Sequence, residues 1–154
     1  MAKKKRVAAV RKDKLWSTLR PGPANFVPLS PIVFLPRAAE IYPERIAVVH
    51  GSARITYARF FERAKRLASA LAKRGVGRGD VVSAMLPNVP AMLDAHYGVP
   101  MLGAVLNTIN TRLDADTVAY ILEHGEAKVL ITDRVFAGVV GPALGKLKRR
   151  PLVI

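Results

Sequence analysis

The chain has 154 residues, 51% hydrophobic and 23% charged, with no cysteine and a formal charge of +14. That length carries a packed core, and the composition is that of a globular chain rather than a disordered one. The missing cysteines exclude a disulfide framework and a thiolate zinc site.

The charge is uneven along the chain. Residues 1 to 20 hold eight basic side chains against Asp13 alone, and Lys146, Lys148, Arg149 and Arg150 form a second basic cluster. Between these flanks, 13 basic residues stand against 10 acidic ones, which is close to balance. A nucleic-acid binder is expected to carry its cations on the folded surface with interleaved aromatics, so this distribution argues against that role. Lys3-Lys4-Lys5-Arg6 matches a nuclear-import or heparin-binding composition, but a solvated, disordered head is the expected reading. Val7 to Val10 is too short for the apolar core of a secretory signal.

After the prolines at 21, 23, 28 and 31, Val33 to Ile41 reads as a short helix closed by Tyr42-Pro43. Ile46 to Val49 and Arg54 to Thr56 read as a hairpin around Gly51-Ser52, where glycine and serine supply the turn. From Tyr57 to Arg74 the apolar residues Phe60, Phe61, Ala64, Leu67, Ala68 and Leu71 fall on one helical face, with Thr56 as N-cap and Gly75 as stop. Val81 to Leu86 is a strand, Pro90 to Gly103 a buried helix, and Ala104 to Asn107 a strand. A helix from Ala115 to His124 capped by Asp114 follows, then a strand from Lys128 to Thr132 and a looser helix from Arg134 to Leu147. Leu152 to Ile154 is a last apolar strand without turn or cap, which leads us to expect the front part of a larger protein. This alternation is the grammar of an α/β fold with a parallel sheet. Prolines and polar residues between Val81 and Ile109 break any span of membrane length.

Gly75 to Asp80 has glycines but stands in the order helix, glycines, strand, opposite to that of a phosphate cradle, so a turn is expected. Ligands of an open parallel sheet bind outside the carboxyl ends of its strands. The loops to inspect are therefore Pro87-Asn88-Val89, Asn107 to Asp114, and Asp133-Arg134. The middle loop is richest in hydrogen-bonding groups, and Arg112 is suited to a phosphate. Asp114 and Asp133 are equally readable as N-caps, and Asn107 as a backbone partner at a sheet edge. His50, His96 and His124 make no site by spacing; His96 alone merits a test, and a satisfied core histidine is expected there. No paired-carboxylate spacing, HExxH or nucleophile elbow is present.

Several segments stand in a telling order: Phe26 to Pro31, Tyr42 to Ala47, Ile55-Thr56-Tyr57, Gly77 to Val82, Leu86 to Pro90, Gly98 to Val105 and Lys128 to Asp133. From about residue 21 onward the chain resembles the opening of an adenylate-forming, AMP-binding acyl-CoA synthetase. The flavour is that of the acyl-activating branch that handles short- and medium-chain acids. The resemblance implies an α/β fold, a partial parallel-sheet subdomain of the large N-terminal domain, with residues 1–20 as an added basic head. It implies ATP, Mg and coenzyme A for the parent enzyme, which joins a carboxylic acid to coenzyme A through an acyl-adenylate. In that family the phosphate loop, the ribose-binding acid and the catalytic lysine lie downstream of the region that this chain resembles. The resemblance therefore implies no catalytic residue in this chain, no productive cofactor binding by it alone, and the remainder of the synthetase as its partner. Asn110, Thr111, Arg112 and Arg134 occupy the region that can approach the nucleotide part of coenzyme A. One departure is Arg59, where the family often has a capping-box Glu. The expected location is cytoplasmic. A short stand-alone α/β binding module and a basic nucleic-acid-interacting protein are the alternatives.

Overall fold

Four parallel strands carry the architecture, in a computed structural model that describes residues 29–154. In chain order the elements are α1 (Phe34–Ile41), β1 (Ile46–His50), β2 (Ala53–Thr56), α2 (Tyr57–Ala72), β3 (Val81–Met85) and α3 (Pro90–Gly98). They continue with β4 (Val105–Thr108), α4 (Ala115–His124), β5 (Ala127–Thr132), α5 (Ala137–Lys146) and β6 (Leu152–Val153). The basic head and the segment Phe26-Val27-Pro28 lie outside the described residues.

Strands β1 and β2 form an antiparallel hairpin, and the others form a parallel sheet in the order β4-β3-β5-β6. Side chains alternate across the sheet, as a pleat requires. Met85 and Leu130 join Val118, Leu122, Val140 and Ala143 of α4 and α5 in one core. Val82 and Val129 join Leu71 of α2 and Val99 beside α3 in another. The sheet thus has α4 and α5 on one face and α2 with the end of α3 on the other. A third, smaller core gathers Leu35, Phe60 and Ala64 under the hairpin.

Local chemistry accounts for the boundaries. Thr56 Oγ1 accepts from Arg59 N at 3.3 Å and opens α2 as expected. Gly75, at φ +79°, and Gly79, at φ +83°, take left-handed conformations in the turn before β3. Two helices differ from expectation. The run from Pro90 to Gly103 is α3 followed by a 3-10 turn at Pro100–Leu102, because Pro100 has no N–H to continue the ladder. That helix is buried on one side only: Asp94, Ala95 and Gly98 are inside, while Leu93 and His96 are exposed. The looser helix divides into a 3-10 turn at Arg134–Phe136 and α5.

Candidate functional site

Strand connections decide where a crevice forms. Strand β3 leads through α3 to β4 on one side, whereas β5 leads through α5 to β6 on the other. The two loops leaving the carboxyl ends of these adjacent strands therefore diverge, and the gap between them is the switch point at which open α/β sheets bind ligands. The residues after Met85, including Asn88, leave β3 at this end, and the pair Asp133-Arg134 leaves β5. The edge is rigid: Thr132 Oγ1 donates to Met85 O at 3.1 Å, and Ile109 N donates to Ala84 O at 2.9 Å. The sequence did not single out Thr132; a threonine ending a strand carries no signal until its neighbouring strand is known.

The predicted residues fall on this edge in two groups. Arg134 stands at the switch point. Asn110, Thr111 and Arg112 follow β4, on the far side of β3 and so about 10 Å away at two interstrand spacings. Asn110 Oδ1 accepts from Arg112 N at 3.0 Å, a side-chain turn that fixes the loop and leaves Arg112 exposed. Neither the Arg112 nor the Arg134 guanidinium is paired with a carboxylate among the described residues. Two exposed guanidinium groups on one rim suit phosphate oxygens, which they bind in a fork.

The acids nearby are structural. Asp114 accepts from Thr117 N at 2.8 Å and from its hydroxyl at 3.0 Å, and these bonds hold its carboxyl below the usual aspartate range. An ionised cap of this kind cannot serve as a general acid near neutral pH. Asp133 caps the next turn, accepting from Val135 N at 3.0 Å. The Asn107 side chain does not bond backbone at the edge; its amide donates to the fully buried Ser83 Oγ at 3.2 Å and satisfies that hydroxyl.

His50 lines a cavity with Asn88 and Val89 of the loop after β3, and His96 lines another with Thr108 at the end of β4. His96 is exposed rather than in the core, with Nδ1 2.8 Å from Met92 O. The physical reason is that α3 packs against α2 through its Asp94 and Gly98 side alone. His124 stacks on Tyr120 with ring centroids 5.4 Å apart. Among the described residues no three His, Cys, Asp or Glu side chains converge as metal ligands, and no helix is long and apolar enough to cross a membrane.

The model of the AMP-binding enzyme family matches residues 35–153. The chain belongs to that family. Among curated relatives, it is 45% identical over 139 residues to the peroxisomal acetate/butyrate–CoA ligase of Arabidopsis thaliana, covering 86% of this chain and 24% of that protein. It is 51% identical over 121 residues to the peroxisomal butyrate–CoA ligase of the same plant, covering 79% and 21%. Among solved structures, a Mycobacterium tuberculosis fatty acyl CoA synthetase superposes with a TM-score of 0.73 at 32% identity, over 80% of this chain and 26% of that one. The o-succinylbenzoate CoA synthetase of Bacillus subtilis, solved with its acyl-adenylate intermediate, gives 0.69 at 28% identity, over 79% and 30%. The chain spans about a quarter of the length of these relatives. The expected α/β fold of an acyl-CoA synthetase N-terminal region is therefore correct.

Proposed function

We propose that this AMP-binding segment is part of an acid–CoA ligase that activates a short- or medium-chain carboxylic acid. Family membership over residues 35–153 carries the reading, and the ligase names of the relatives supply its substrate class. In such an enzyme ATP supplies the adenylyl group that activates the acid, and coenzyme A supplies the thiol that takes the acyl group. This chain contributes the sheet edge on which the nucleotide part of coenzyme A is held. Arg112 and Arg134 grip its phosphates, while Asn110 and Thr111 shape the loop that presents Arg112. Mg is proposed to accompany ATP in the full-length enzyme.

The proposed organisation is a basic head over residues 1–20 and an AMP-binding portion over 21–154 that is inactive alone. The test is made in the full-length enzyme. Arg112→Ala should raise the coenzyme A requirement about tenfold, the loss of one charge-assisted contact, with ATP–pyrophosphate exchange unchanged. Equal loss of both half-reactions rejects the assignment. The 154-residue chain by itself should give no pyrophosphate exchange with any acid tried. For location we propose the cytoplasm, against relatives named as peroxisomal; imaging of the tagged full-length protein in peroxisomes would replace it.

A further inference from the structure

The basic cluster near residue 150 lies at the end of the sheet opposite the candidate site, and the topology gives it company. Parallel strands bring every helix-to-strand turn to one end, opposite the candidate site. Gly79 N donates to Gly103 O at 3.0 Å, which sets the turn before β3 beside the turn before β4. Lys128 Nζ, at the start of β5, donates to Gly75 O at 2.6 Å and to Asp80 at 2.9 Å. Lys148 and Arg149 line a groove with Glu126 and Ala127, at the same end of β5. Arg74, Arg78, Lys148, Arg149 and Arg150 are thereby gathered on one rim, all exposed, and none forms an ion pair among the described residues. Asp80, which could have neutralised one of them, is occupied by Lys128.

We propose that this rim is a docking surface for an anionic phospholipid bilayer. These five cations are set in two turns, 73–80 and 147–151, that stand on either side of the turn before β5 at one end of the parallel sheet, and basic clusters of about this size attract anionic lipid surfaces. The groove on the rim is walled partly by Glu123 and Glu126, so a single anion or an acidic peptide seated there meets like charge. The turns at 73–80, 103–104, 125–127 and 147–151 carry no aromatic residue, and the one aromatic pair beside them among the described residues, His124 and Tyr120, is stacked on itself. Docking by this end leaves the carboxyl edge of the sheet, with Arg112 and Arg134, facing away from the bilayer.

The experiment is sedimentation of the full-length protein with vesicles of phosphatidylcholine alone or mixed with phosphatidylserine. Binding is expected only to the mixed vesicles and is expected to weaken as salt is added. At about 1 kcal/mol per cation near the surface, or roughly fivefold each, the triple variant Lys148→Ala, Arg149→Ala, Arg150→Ala should partition about a hundredfold more weakly. The basic head is common to both proteins, so their difference reports the rim alone. A second triple variant, Arg37→Ala, Arg54→Ala, Arg59→Ala, removes the same charge from the opposite part of the fold and should bind as the parent does. Equal partitioning by the parent and the first variant overturns the proposal. So does a short duplex that displaces the vesicles and loses affinity through the same three residues, which would make the rim a nucleic-acid surface.

Discussion

Asp80 is the residue on which the amino end of the sheet turns. The ammonium of Lys128 and then the amide of Gly77, at 2.9 and 2.7 Å, hold its carboxyl below the usual aspartate range. In the unfolded chain that carboxyl returns to its ordinary value. Its contribution to stability is therefore present above the ordinary aspartate range and is lost as pH falls through the lowered folded value. Asp80→Asn should melt below the parent at neutral pH, and the gap should close in acid; thermal melts across that range check it. A gap that is constant with pH would show that the charge is not involved. Thr56 acts by geometry instead. Removing the single cap bond to Arg59 N with Thr56→Ala should cost about 1 kcal/mol, read from the urea midpoint by circular dichroism. Thr56 was legible as a cap because it is the polar residue directly before a long amphipathic run. Asp114 was equally legible. Lys128 was not, because its partners lie about 50 positions upstream and only the sheet brings them together.

At the scale of elements, the contact between α2 and α3 concentrates two requirements. Gly98 lies so close to α2 that an added Cβ would stand 2.9 Å from Ala64 O and 3.1 Å from Leu67 Cβ. Gly98→Ala should lower stability by about 1–3 kcal/mol, since backbone cannot yield as a flexible side chain would. One turn away, the guanidinium of Arg63 forks onto Asp94, with Nε donating to Oδ1 at 3.2 Å and Nη2 to the other oxygen. Asp94 is nearly buried, its side chain 9% exposed, whereas that of Arg63 is 37% exposed. Breaking the pair from the exposed side should therefore cost more than removing both charges. Arg63→Ala strands a buried carboxylate at about 2 kcal/mol, and adding Asp94→Leu should recover much of that loss. A double variant no more stable than Arg63→Ala would sink the argument. The apolar look of residues 90–103 suggested a helix buried all round; the buried aspartate and the exposed Leu93 show a helix with one packed side. Periodicity is a poor guide there because α3 is short and its hydrophobic residues are not confined to one face.

At the largest scale, the sheet has two open edges among the described residues. Val105 on β4 is 52% exposed, and Leu152 on β6 is 46% exposed. Edge strands with free backbone groups and apolar side chains recruit further strands. The 154-residue chain alone should self-associate with rising concentration, as measured by sedimentation velocity. A monodisperse monomer throughout would instead favour a stand-alone module. Contacts across the sheet also explain why the site was only partly legible. Each loop could be named from its place after a strand, but Asn110 to Arg112 and Arg134 are far apart in sequence. Their order along one rim depends on β5 lying beside β3 rather than β4.

The sequence by itself determined the alternation of strand and helix, the caps at Thr56, Asp114 and Asp133, and the turn chemistry of Gly75 to Asp80. The caps rest on interactions within a few residues. Its ordered motifs also determined the family. Only the tertiary structure decided the strand order, and with it the switch point beside Arg134 and the basic rim at the opposite end; it also formed the part-buried Arg63–Asp94 pair. Strand order is set by which apolar faces pack across the sheet, and pairings over 20 to 50 residues leave no periodic trace in the chain.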